Sequence, residues 1–155
     1  MTASPHDFDF LQGTWAVANR RLKARLAGAD EWDEFPARQV FWKLLGGVAN
    51  VDEFDCPALG FKGMSVRTLD LAQGRWSIYW VGSNDGILQP PVHGGFDGER
   101  GEFFGDDTFG GRPIRVRFRW TVSETAPVWE QAFSPDGGAS WETNWIMRFS
   151  REGQP

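Results

Sequence analysis

Between Pro113 and Val122 apolar and polar side chains alternate one for one: Ile114, Val116, Phe118 and Trp120 against Arg115, Arg117, Arg119 and Thr121. A period of two marks a strand with one face in a core and the other in water. The pattern continues over 128–134, where Trp129, Gln131 and Phe133 oppose Glu130 and Ala132. Beyond the Asp136-Gly137-Gly138 turn, Trp141, Thr143, Trp145, Met147 and Phe149 oppose Glu142, Asn144, Ile146 and Arg148. Three one-sided strands in succession predict an antiparallel sheet. Runs of strand length also fall at 14–24, 35–45, 47–56, 61–71, 75–82, 91–97 and 101–107, parted by glycine and Asx turns such as Gly46-Gly47, Asn84-Asp85-Gly86 and Gly110-Gly111. Leu22 and Leu26 lie four apart, so Arg20 to Leu26 has a helical alternative. A long first strand that turns at Ala27 to Asp30 is the preferred reading, after a short helical turn over Pro5 to Gln12. A sheet of about ten strands curls, and closing it removes its edges. The expected fold is all-β, a single antiparallel barrel forming one domain over 1–155.

Composition bears on what such a barrel encloses without identifying it. Nine tryptophans and 13 phenylalanines accompany a single tyrosine. Those stiff side chains with large apolar area either fill a barrel or line a cavity in it. A net charge of −5 without a basic stripe argues against binding a nucleic-acid backbone. Cys56 is alone, which excludes an internal disulfide and favours a small packed residue. The N-terminal residues show no secretory pattern and no segment is long enough to cross a bilayer, so a cytoplasmic protein without membrane attachment is expected.

Phe8-Asp9-Phe10-Leu11 followed by Gly13-Thr14-Trp15 resembles the opening of lipocalin-like (calycin) barrels. The resemblance implies that Trp15 plugs the closed end and that an arginine near the last strand, Arg148 or Arg151, packs over it. Three further stretches resemble an uncharacterised bacterial lipocalin-like family, a domain of unknown function: Trp76 to Trp80, Gly105 to Ile114, and Trp129 to Glu142. This second resemblance spans nearly the whole chain. It implies the fold and brings no activity.

With Trp15 inward, Val17, Asn19 and Arg21 share its side, and Trp80, Trp129, Gln131, Trp141, Thr143 and Trp145 line the same interior. Aromatic walls with a few polar groups are the usual makeup of a small-molecule site. Asn19, Arg21 or Gln131 would orient a hydrophobic or flat aromatic ligand, with no cofactor required. The alternatives are a cofactor-independent cyclase, isomerase or lyase using His93, Glu130 or Asp107, and a filled barrel that serves as an interaction module. A homodimer through an exposed face is also open. Arg115, Arg117, Arg119, Glu130, Glu142 and Asn144 are expected as outer charge pairs. The reverse arrangement, with Arg117, Glu130 and Asn144 inside, would bare a broad aromatic surface. Asp106, Asp107 and Arg112 read as a turn with a salt bridge, and His93 as a rim or packed residue; a haem ligand is its sharper alternative.

Overall fold

The computed structural model describes residues 3–152. Its ten strands are β1 (Gly13–Leu22), β2 (Trp32–Leu44), β3 (Ala49–Cys56), β4 (Phe61–Asp70), β5 (Arg75–Gly82), β6 (Val92–Asp97), β7 (Arg100–Phe109), β8 (Arg112–Thr121), β9 (Val128–Ser134) and β10 (Glu142–Arg151). Each pairs antiparallel with its chain neighbours, and β1 pairs β10 to close the barrel. Every expected strand is present. Strand β1 is shorter than read, because the chain leaves it at Leu22 and Leu26 takes a positive φ of 56°. That backbone fits neither the helical alternative nor a strand that continues to Lys23 and Ala24. The turn therefore begins well before Ala27.

Up-and-down topology sorts the connections between two ends. Segments 23–31, 57–60, 83–91, 110–111 and 135–141 lie at one end, and 45–48, 71–74, 98–99 and 122–127 at the other. The N-terminal segment, with a 3₁₀ turn at Asp9–Leu11, closes the second end. Phe8 meets Trp76, Phe96 and Phe103 at ring separations of 4.9, 5.0 and 6.0 Å, and the Trp76 indole donates to Asp7 at 3.0 Å. Trp15 is fully buried and donates its indole N–H to the Leu11 carbonyl at 2.8 Å. Of the two arginines considered for its cover, Arg151 is the one: its guanidinium lies 3.7 Å from the Trp15 ring centroid and also donates to the Gln12 carbonyl. His6 bonds Asp9 at 2.9 Å.

Strand β10 contains the main departure from the expected pattern. Thr143 opposes Ala132 and Trp145 opposes Gln131, so Asn144 is an extra residue without a partner. Such a bulge reverses the facing of everything on one side of it. Trp145, Met147 and Phe149 point inward as expected, and Asn144 is buried with them rather than outside. Trp141 falls on the outer wall, where it meets Phe104 at 5.9 Å and lies under Arg117 at 4.8 Å.

The connection before β10 is held by Asp136, which accepts from Ser140 N at 2.9 Å, Ser140 Oγ at 2.5 Å and Ser134 Oγ at 2.7 Å. These bonds, those from Ser140 first, lower its carboxyl to about 2. A depressed carboxyl contributes stability above its ordinary value of 3.8, and that contribution is lost as pH falls through about 2. In Asp136→Asn the pH dependence of unfolding over that interval should flatten; an unchanged slope would mean the bonds do not persist in solution.

Candidate functional site

The plug occupies only the lower part of the barrel. Above it an aromatic cavity of about 150 Å³ opens toward the end where Gln89, Pro90 and Asp107 stand. Its walls include Phe54, Trp80, Phe118, Trp129 and Trp145. Two features shape the mouth. Beyond Ile78, β5 no longer pairs with β6; the 83–91 connection lies beside it instead, with Gln89 N donating to Trp80 O at 2.7 Å. On the other side, Glu142 accepts the Leu26 amide at 2.7 Å and Arg25 lies 5.2 Å from the Phe109 ring, which ties the 23–31 connection to the rim.

Of the residues expected to bind a ligand, Trp80, Trp129, Gln131 and Trp145 line the cavity together. Trp80 can lie flat against β4 only because position 63 is glycine: a Cβ there would come within 2.0 Å of its ring. Gln131 donates to Asn144 Oδ1 at 2.9 Å, so the bulge sets its orientation. Asn19 and Arg21 point inward, yet neither is part of the lining. Asn19 accepts the Trp145 indole N–H at 3.0 Å and donates to the Phe35 carbonyl at 3.2 Å. Arg21 lies 5.0 Å from the Trp145 ring and 5.8 Å from Phe35. Both hold Trp145 from behind. Trp141, on the outer wall, takes no part in the cavity.

The three acid–base candidates are dispersed. His93 pairs with Ser77 across β5 and β6, on the face opposite Ile78 and Val92, and its Nδ1 is 2.7 Å from Ser77 Oγ. Burial, then the charge of Arg75, lowers its imidazole below the ordinary value. Glu130 stands on the outer wall in register with Arg119. Only Asp107 lines the cavity, at its mouth, where it accepts the Thr108 amide at 2.8 Å. Outer charge pairs occur with partners other than those expected, at Arg119–Glu102, 2.8 Å, and Arg115–Asp106, 3.5 Å; Glu142 serves the Leu26 amide instead, and Asp106 bridges across the strands to Arg115 rather than to Arg112 at the turn. Arg117 stays outside, so the reversed barrel does not occur. Among the described residues no three His, Cys, Asp or Glu side chains converge on a metal position. No helix of the described residues is long and apolar enough to cross a membrane.

What sequence reading missed lies on the cavity floor. Arg67 is only 3% exposed and Asp52 is fully buried, paired at 2.6 Å. Arg67 also donates to Asn50 Oδ1 at 2.9 Å and sits between the rings of Phe8 and Phe41, at 5.2 and 5.4 Å. Gln39 and Ser65, both buried, reach the same cavity. The signal was present: period two from Phe61 puts Ser65, Arg67 and Leu69 on one face, and only Leu69 looks like core.

No protein-family model and no curated protein matches the chain. Among solved structures, that of Rv2717c from M. tuberculosis matches with a TM-score of 0.62 over 98% of this chain and 99% of the other, at 10% sequence identity. At so low an identity the likeness shows the fold alone, and the fold is a closed ten-strand antiparallel barrel.

Proposed function

We propose that the protein is a small-molecule-binding barrel of lipocalin-like type, taking a hydrophobic or flat aromatic molecule through the end bearing Asp107 and Gln89. The observation that carries this reading is the open aromatic cavity above a barrel end already filled by its own plug. A narrow barrel can be packed solid by side chains; here Phe8, Leu11 and Trp15 fill the lower part, and about 150 Å³ remains above them. An apolar cavity of about that size admits benzene in an engineered protein. Binding would come from apolar burial and edge or face contact with Trp80, Trp129 and Trp145.

Titration with toluene, followed by tryptophan fluorescence and calorimetry, tests the reading. Saturable one-to-one binding that survives His93→Ala and Glu130→Gln is expected, because both residues face away from the cavity. No heat and no quenching would overturn it. The enzyme alternative now rests on Asp107 alone. Compounds released from protein purified from its own cells, if converted on incubation by the wild type but not by Asp107→Asn, would move the reading to catalysis.

A further inference from the structure

We propose that the outer wall formed by β2, β3, β4 and β5 is the contact face of a homodimer, with the two-fold axis along the seam between β3 and β4. The argument starts from register. Trp42 pairs with Val51, Val51 with Val66 and Val66 with Tyr79, so one row of four apolar side chains runs across the four strands. All four point outward, because alternation sends Phe41, Asp52, Arg67 and Ile78 into the barrel. The rows on either side add Leu44 and Met64, and Trp42, Leu44 and Met64 are 49%, 46% and 41% exposed. Glu53 is the one charged side chain in the three rows. On the opposite wall the outward positions are held by Arg115, Arg117, Arg119 and Glu130. The barrel exterior therefore has an apolar side and a charged side. A connected apolar face of this kind marks an interaction site, which singly scattered surface hydrophobes do not.

Size and charge decide the occupant. Four strands about 4.8 Å apart and three outward rows about 6.8 Å apart make a face of about 400 Å². With a rim one side chain wide it reaches about 800 Å², the area that a standard interface buries on each partner. A face that meets its own copy must also not repel itself. Arg38, Asp55 and Lys62 form the next row toward the open end and carry charges of both signs. Arg38 is paired with Glu152 at 2.8 Å, whereas Lys62 and Asp55 are 3.9 Å apart, the loosest ion pair among the described residues. An axis along the β3–β4 seam lays β3 of one protomer over β4 of the other, so Val51 meets the partner's Val66 and Trp42 meets the partner's Tyr79. The same operation sets Asp55 against the partner's Lys62, twice over. An anionic lipid surface is the poorer occupant, because both cations at this face are already paired and the chain's net charge is −5.

Sedimentation equilibrium at micromolar protein tests the proposal, with circular dichroism and urea unfolding to establish that each variant folds. The wild type is expected at twice the mass of the chain. Trp42→Ala should weaken the dimer by about thirtyfold or more, as loss of a central interface aromatic does. Lys62→Asp should weaken it by about fivefold, and adding Asp55→Lys should restore it, because the reversed charges again meet their opposites. A wild type that stays monomeric would overturn the proposal, and so would a dimer indifferent to Trp42→Ala or to Lys62→Asp. Binding of a monomer to phosphatidylcholine vesicles would give the face to lipid and overturn it as well. The three substituted positions lie outside the cavity, so toluene binding is unaffected by them and the cavity reading stands or falls separately.

Discussion

Asp52→Asn is expected to destabilise the barrel by about 3–5 kcal/mol, the usual cost of leaving one member of a buried pair charged and alone. Arg67 and Asp52 are 3% and 0% exposed, so solvent screening does not soften the loss. Their attraction does not make the pair a net source of stability, because both groups were stripped of water to form it. A double change, Arg67→Met with Asp52→Leu, should therefore recover most of the loss, since the aromatic faces of Phe8 and Phe41 pack against methionine as well as guanidinium. Urea unfolding of the two variants and the wild type provides the comparison. A loss below about 1 kcal/mol in Asp52→Asn would place the pair among exposed ones and remove the low-dielectric floor from the picture. The recovered double variant should still bind toluene.

Trp15→Ala should cost a comparable amount, about 3–5 kcal/mol, for a different reason. Its ring is fully buried and contacts Phe149 edge-on at 6.1 Å, and its indole N–H bonds the Leu11 carbonyl. Removing it leaves a hole at the closed end and takes away the surface on which Arg151 rests. Trp15→Phe keeps a ring under Arg151 but not the indole hydrogen bond, and should lose clearly less. Hydrogen exchange should show where the damage falls: the Leu11 amide, bonded to the Phe8 carbonyl at 3.0 Å, loses protection in Trp15→Ala. Uniform loss across all ten strands, with no greater effect at Leu11, would mean that the plug is not a separate packing unit.

The sequence by itself determined the strands. Alternation survives translation into three dimensions because side chains on a strand must point to opposite faces, so Ile114, Val116, Phe118 and Trp120 could be assigned to the interior without knowing their neighbours. Glycine and Asx turns bounded the runs, and the family resemblance carried by Gly13-Thr14-Trp15 implied an arginine over the closed-end tryptophan. What tertiary structure decided was where alternation breaks and which polar residues are enclosed. The bulge at Asn144 depends on how β10 meets β9; nothing within Trp141 to Phe149 signals it, and it is what moves Trp141 out and Asn144 in. Asn19 and Arg21 were rightly placed inside, but only the packing reveals that Trp145 stands between them and the cavity. The Arg67–Asp52 pair was the least legible. Asp52 and Arg67 lie on adjacent strands and join only when β3 and β4 come into register over the plug, where Phe8 and Phe41 enclose the guanidinium. Periodicity records which face a residue occupies, whereas burial of a charge depends on what covers that face, and the cover here comes from the far N-terminal end of the chain.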